Sequence, residues 1–214
     1  MSEMQTGKSA IELQDPSFEI GGEAPEQFEQ RKLDHLRLAL ENSHQTSHLS
    51  GFENIEFIHE ALPELNFEDV TLQTESLGMP LPTPLLVSSM TAGHAGGVDL
   101  NLRLAQACDR RGWMMGVGSQ RRELFDPAAA VEWRELRKLF PQVKLLGNIG
   151  LSQLISASIE QVERLVESLE ASAMIVHTNP LQEVLQIEGT PQFKGGLEAL
   201  EKIAKSLSVP VVLK

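Results

Sequence analysis

From Pro84 onward the chain settles into a regular alternation, and this limits its fold more than any other feature. Apolar runs occur at PLLVSSM (84–90), WMMGVG (113–118), VKLLGNI (143–149), AMIVH (173–177) and VPVVLK (209–214). Between them lie amphipathic stretches: GVDLNLRLAQACDRRG, DPAAAVEWRELRKLF, SIEQVERLVESLEA and GGLEALEKIAKSL. Ile159, Val162, Leu165, Val166 and Leu169 form a stripe at helical spacing. Asp126 followed by Pro127 is a helix start, an N-cap before a proline at the first helical position. Strand and helix repeat at roughly 30-residue intervals, the mark of parallel βα units. The fold class is α/β.

Two architectures use such units. A doubly wound sheet gathers its ligand contacts at one switch point, commonly through a Gly-x-Gly-x-x-Gly turn after the first strand. A (β/α)8 TIM barrel places functional groups at the C-terminal ends of many strands. Here polar residues recur at every strand end: Ser88, Ser89 and Thr91, then Ser119, Gln120 and Arg121, then Asn148, His177 and Lys214. AGHAGG after the first run is glycine-rich but lacks the dinucleotide fingerprint. The pattern favours the barrel. A barrel needs eight strands and this chain supplies five, so the sequence reads as the first part of a longer protein.

Upstream, residues 1–28 are polar and acidic without a period and are expected to form a flexible tail. Residues 29–68 are expected to be a helical segment, and the amphipathic stretch EQFEQRKLDHLRLALE, which starts at Glu26 within the end of the tail, has Phe28, Leu36 and Leu40 among its apolar positions. Residues 69–214 then hold a hairpin, turning at Ser76–Gly78, and the barrel strands. The formal net charge of −12 and 5% aromatic content argue against nucleic acid and anionic membranes as partners. No stretch approaches the roughly 20 apolar residues of a membrane helix. The N-terminus lacks the pattern of a secretory signal. The single cysteine, Cys108, lies in a helical pattern as a core residue, and a cytoplasmic setting is expected.

Two stretches carry unusual chemistry. Arg31, Lys32 and His35 cluster on one side of a helix, either as a solvated face or as an anion site. In HTNPLQEVLQIEG, His177, Thr178, Asn179, Gln182 and Glu183 leave an apolar strand together around Pro180. Read alone, this is either a polar turn or the working end of an active site.

Taken together, RKLDH, SSMTAG, GVGSQR, GNIG, HTNPLQE with EGTPQF, and the terminal VVLK resemble, in order and spacing, the type 2 isopentenyl diphosphate isomerases. These are FMN-dependent TIM-barrel enzymes that interconvert isopentenyl and dimethylallyl diphosphates. The resemblance runs from about Arg31 to Lys214. It implies that Arg31, Lys32 and His35 bind substrate, the Arg–Lys pair gripping its diphosphate. Ser89, Met90, Thr91, Ser119, Asn148 and Lys214 would contact FMN, with Lys214 near the ring edge that turns negative on reduction. Gln120 and Arg121 would face substrate. Gln182 and His177 would be catalytic, Gln182 touching the reacting allylic unit, and Glu183 would hold Mg2+. Ala92 and Thr190 replace a glycine and an aspartate that many members carry.

The implied reaction has no net redox change: an alkene gains a proton at one carbon and loses one at another. The resemblance implies that FMN reduced by NADPH supplies the chemistry, while the protein places substrate and excludes water. A homo-oligomer is expected. The alternatives are another FMN barrel oxidoreductase, such as a 2-hydroxy acid oxidase, and a non-catalytic truncated paralogue. The 214-residue chain by itself is expected to be inactive, because five strands leave an exposed edge and lack the opposite wall of the barrel.

Overall fold

A computed structural model describes residues 33–34, 37–45, 51–90, 95–186 and 189–214. The expected tail, 1–28, lies outside them, as do Arg31, Lys32, His35 and Thr91. Within the upstream segment, 33–34 and 37–40 are helical, followed by short 3-10 turns at Asn42–His44, Phe52–Asn54 and Phe67–Asp69. None of the three turns buries a residue.

A hairpin comes next, β1 (Thr74–Ser76) paired antiparallel with β2 (Met79–Leu81). Its two turn residues, Leu77 and Gly78, have φ of 54° and 71°, the pair of positive values that a tight type I′ connection requires. Leucine is strained in that region, but here its side chain packs against Leu146, Ala173 and Ile175. Leu146 and Ala173 lie at the N-terminal ends of their strands, so the hairpin closes the floor of the sheet beneath the site.

Five parallel strands follow in the order of the sequence: β3 (Leu86–Val87), β4 (Met114–Gly116), β5 (Leu145–Gly150), β6 (Ala173–His177) and β7 (Val211–Leu213). Each lies within one of the five apolar runs or overlaps it, and consecutive strands are neighbours, as in a barrel wall. Helix α1 (Ala95–Arg111) crosses from β3 to β4, and α2 (Val131–Leu139) from β4 to β5. The short α3 (Leu151–Ser156) and α4 (Ile159–Leu169) lead to β6. The short α5 (Pro180–Leu185) and α6 (Gly196–Ser206) lead to β7.

Strand alternation divides the core into two sides. Met115, Val117, Leu145, Ile149, Met174 and Val176 face the helices, where Cys108, Trp133, Leu136, Val162, Leu165 and Ile203 meet them. Leu146, Ala173 and Ile175 face the other way, with Val212 beside them. Cys108 is fully buried, as expected of a core residue, and its burial pushes the thiol pKa up to about 11.

Local signals set the element ends. Asp126 Oδ1 accepts from Ala128 N, but the turn it starts is 3-10 (Pro127–Ala130), and the α-helix begins only at Val131. Ser158 and Gln161 form a capping box at the start of α4. Gly112, at φ 67°, ends α1, with Trp113 N donating back to Cys108 O. Helices α3 and α5 lie where the sequence showed no helical pattern. At six residues each they are too short for an apolar stripe to show in the sequence.

Candidate active site at the C-terminal strand ends

The polar groups expected at the strand ends lie along one rim. At the end of β3, Ser89 is buried and its Oγ has no hydrogen-bond partner. The hydroxyl lies over Gly116 of β4, where a Cβ would fall 2.3 Å from Ser89 Oγ. A glycine inside a strand marks such close approach, and this was the available signal for a residue the sequence reading did not single out. Met90 is exposed.

Lys214 follows β7, whose pairing with β6 continues through Lys214 N donating to Val176 O at 2.9 Å. Its carbonyl accepts from Thr178 N at 2.7 Å and Thr178 Oγ1 at 3.0 Å. The side chain spans the rim, and Nζ donates to Ser89 O at 3.0 Å, tying the two outermost strands together. Removal from water lowers the ammonium pKa from its ordinary value. An orphaned hydroxyl, a glycine cradle and a cation therefore share one corner.

Beyond β4, Ser119 Oγ accepts from Arg121 N at 3.4 Å, and Arg121 is half-buried at the start of a 3-10 turn, Arg121–Leu124. Gln120 departs from its expected direction. It is 1% exposed and turned away from the rim, into the layer between sheet and helices. Its Nε2 donates to Leu165 O of α4 at 3.1 Å, and its Oε1 accepts from Asn148 N at 3.1 Å. The physical reason is Gly147: a Cβ there would lie 2.9 Å from Gln120 Oε1, so only glycine leaves room for the amide on the helix side. Nearby, Glu123 accepts from Ser168 Oγ at 2.8 Å, and burial raises its carboxyl pKa despite that bond.

At Asn148 protein groups engage both ends of the amide once, leaving each with further hydrogen-bonding capacity. Nδ2 donates to Val117 O at 3.0 Å, and Oδ1 lies 2.8 Å from His177 Nδ1. His177 stands opposite Gly150 in the β5–β6 ladder. A Cβ on Gly150 would lie 3.1 Å from His177 Nε2 and 2.2 Å from Gln153 Oε1. Gln153, from the unexpected helix α3, thus joins the rim.

The stretch after β6 is a helix rather than a loop. Pro180 stands at its first turn after Asn179, and Glu183 N donates to Asn179 O at 3.0 Å. Gln182 is exposed, with Oε1 accepting from Asn179 Nδ2 at 3.3 Å. Glu183 is 8% exposed: Oε1 accepts from Asn179 Nδ2 at 2.9 Å and Oε2 from Thr190 N at 2.7 Å. Among the described residues no three His, Cys, Asp or Glu side chains group as metal ligands. Glu183 therefore offers one carboxylate, with both oxygens already committed once.

The profile of the FMN-dependent dehydrogenase family matches residues 26–178. An isopentenyl-diphosphate delta-isomerase of Legionella pneumophila (strain Lens) is 48% identical over 188 residues, 88% of this chain and 55% of the relative. One from Bdellovibrio bacteriovorus is 51% identical over 196 residues, 90% of this chain and 56% of the relative. One from Archaeoglobus fulgidus is 39% identical over 184 residues, 86% and 53%. The chain spans about 55% of the length of the first of these relatives.

Proposed function

The chain belongs to the FMN-dependent dehydrogenase family, and on that premise we propose that it works as an isopentenyl-diphosphate delta-isomerase, interconverting isopentenyl and dimethylallyl diphosphates. The carrying observation is the 48% identity to an isomerase of that name across 88% of the chain. The rim geometry supports it.

The residues fit FMN in a definite way. Ser89 brings an unsatisfied buried hydroxyl, and such a group calls for a polar partner. Gly116 keeps the floor under it clear. Lys214, already fixed to Ser89 O, brings the positive charge that suits a reduced, anionic ring. Ser119, Met90 and Thr91 complete the flavin contacts in this reading. When bound and reduced by NADPH, FMN supplies proton-transfer chemistry and stabilises positive charge for a reaction without net oxidation.

The chain's own residues hold and orient the substrate. In this reading Arg31 and Lys32 take the diphosphate, and His35 and Arg121 are further substrate contacts. Gln182 is exposed on α5, and in this reading it contacts the reacting allylic unit. Glu183 retains unused lone pairs on both oxygens after its two hydrogen bonds. It can serve as the single carboxylate of a Mg2+ site whose other ligands are phosphate oxygens and water. His177 lines the site between Asn148 and Gly150. The protein works in the cytoplasm as a homo-oligomer in this reading; among the described residues no helix is long and apolar enough to cross a membrane.

The test is to purify the intact protein and record its visible spectrum. It is then supplied with isopentenyl diphosphate, Mg2+, FMN and NADPH. A flavin band and conversion to the dimethylallyl isomer are expected. A flavin band with no conversion, together with bleaching by a 2-hydroxy acid, would overturn the isomerase in favour of an oxidase.

A further inference from the structure

The groups around Asn148 fix more than its own position. Its Nδ2 donates to Val117 O, and a reversed amide would set two oxygens against each other at 3.0 Å. The orientation is therefore determined, and Oδ1 is the atom that faces His177 Nδ1 at 2.8 Å. An amide oxygen only accepts, so Nδ1 must carry the hydrogen. In a neutral imidazole that leaves Nε2 as the nitrogen without one.

The backbone beneath this contact is clamped as well. Gln120 Oε1 accepts from Asn148 N at 3.1 Å, and Gln120 N donates to Asn148 O at 2.8 Å. One residue of the β4 connection thus grips both polar groups of the Asn148 main chain. Asn148 and Gly150, two residues apart, face the same side of β5. The imidazole lies along them, Nδ1 over Asn148 and Nε2 over Gly150, farther toward the strand end.

The geometry points to Asn148 and Gln120 as positioning residues that hold His177 in the Nδ1–H tautomer. A neutral amide does this without adding a negative charge, whereas a carboxylate in its place would favour the imidazolium. The tautomer stands on the hydrogen-bond geometry alone, while its catalytic meaning rests on the isomerase reading. In that reaction His177 can accept a hydrogen bond or a proton but has none to give from Nε2.

Ring-nitrogen NMR of the intact protein, 15N-labelled at histidine, reads the tautomer directly. It is recorded at a pH where imidazole is neutral, with His177→Gln used to assign the signal. The wild-type ring is expected to show a protonated Nδ1 and a pyridine-like Nε2. Asn148→Leu should shift the ring toward the Nε2–H form that free histidine prefers, while Asn148→Asp, which keeps the acceptor oxygen, should hold Nδ1–H. A wild-type Nε2–H tautomer, an imidazolium at that pH, or an unchanged ring in Asn148→Leu would each overturn the proposal. Isomerase turnover is measured separately on the same samples. If the ring behaves as described and no isomerisation occurs, the positioning role stands and only the functional reading falls.

Discussion

Replacing Arg137 with methionine should destabilise the protein by about 3–5 kcal/mol, a loss its sequence position does not suggest. Arg137 sits in the last turn of α2 and is 8% exposed. Its guanidinium donates to Leu169 O at 3.1 Å, Glu170 O at 3.2 Å, Pro141 O at 3.1 Å and Val143 O at 2.8 Å. A fifth contact, to Phe140 O at 3.4 Å, is weaker, and that oxygen also accepts from Val143 N. One cation therefore serves carbonyls at the C-terminal ends of both α2 and α4, where the helix dipoles favour positive charge. Burial lowers its pKa, yet a guanidinium remains charged at neutral pH. Methionine fills similar space but leaves the buried carbonyls of Leu169 and Val143 unpaired, at about 1–3 kcal/mol each, and removes the bonds to the part-buried carbonyls of Pro141 and Glu170. Glu170 adds to the cost. It ends α4 at φ 49°, a strained value for a residue with a side chain, and its carbonyl is one of those Arg137 holds. Lysine would keep the charge but not the fork, so Arg137→Lys should lose roughly half as much. Urea unfolding of wild type and both variants, compared at constant slope, measures this. A loss below about 1 kcal/mol for Arg137→Met would refute the reasoning. The turns that Arg137 holds lead directly into β5 and β6, which carry Asn148 and His177, so flavin content should fall alongside stability.

Three further outcomes are expected. Glu183→Gln sets an NH2 against either Thr190 N or Asn179 Nδ2, weakening charge-assisted bonds worth about 1.5–3 kcal/mol. Amide exchange at Thr190 should speed up roughly tenfold or more, and the Mg2+ requirement should rise; unchanged Mg2+ dependence removes Glu183 from the metal role. On the proposed catalytic role, Gln182→Ala should lower kcat at least tenfold while moving KM little; a change confined to KM would make it a binding residue. Lys214 has a folded-state pKa below its unfolded value, so the unfolded chain binds more protons between the two and stability rises with pH across that window. The same deprotonation removes the cation, so affinity for reduced flavin should fall as pH rises through the lowered value. Lys214→Met should abolish that pH dependence, as followed by flavin potential.

The sequence by itself determined the wall of the fold. Five apolar runs at βα spacing became five parallel strands in chain order, because a strand buried on both faces must be continuously apolar. The hairpin at Ser76–Gly78 and the rim of polar strand ends followed from the same local signals. The motifs carrying the family resemblance were legible too, because residue type and spacing are written along the chain. What the tertiary structure alone decided was direction. Gln120 follows β4 and Asn148 lies near the end of β5, yet Gln120 turns outward to Leu165 O because Gly147 opens a space 27 residues away in sequence. Helices α3 and α5, each six residues long, form on the strand ends they follow, with too few turns to announce themselves as periodicity. Arg137 reads as one more charge on an amphipathic helix until folding brings the ends of α2 and α4 around it. Each of these depends on groups that are distant in the chain and adjacent only once the sheet has formed. A one-dimensional pattern records which side chains are available, and close packing selects the partner each one meets.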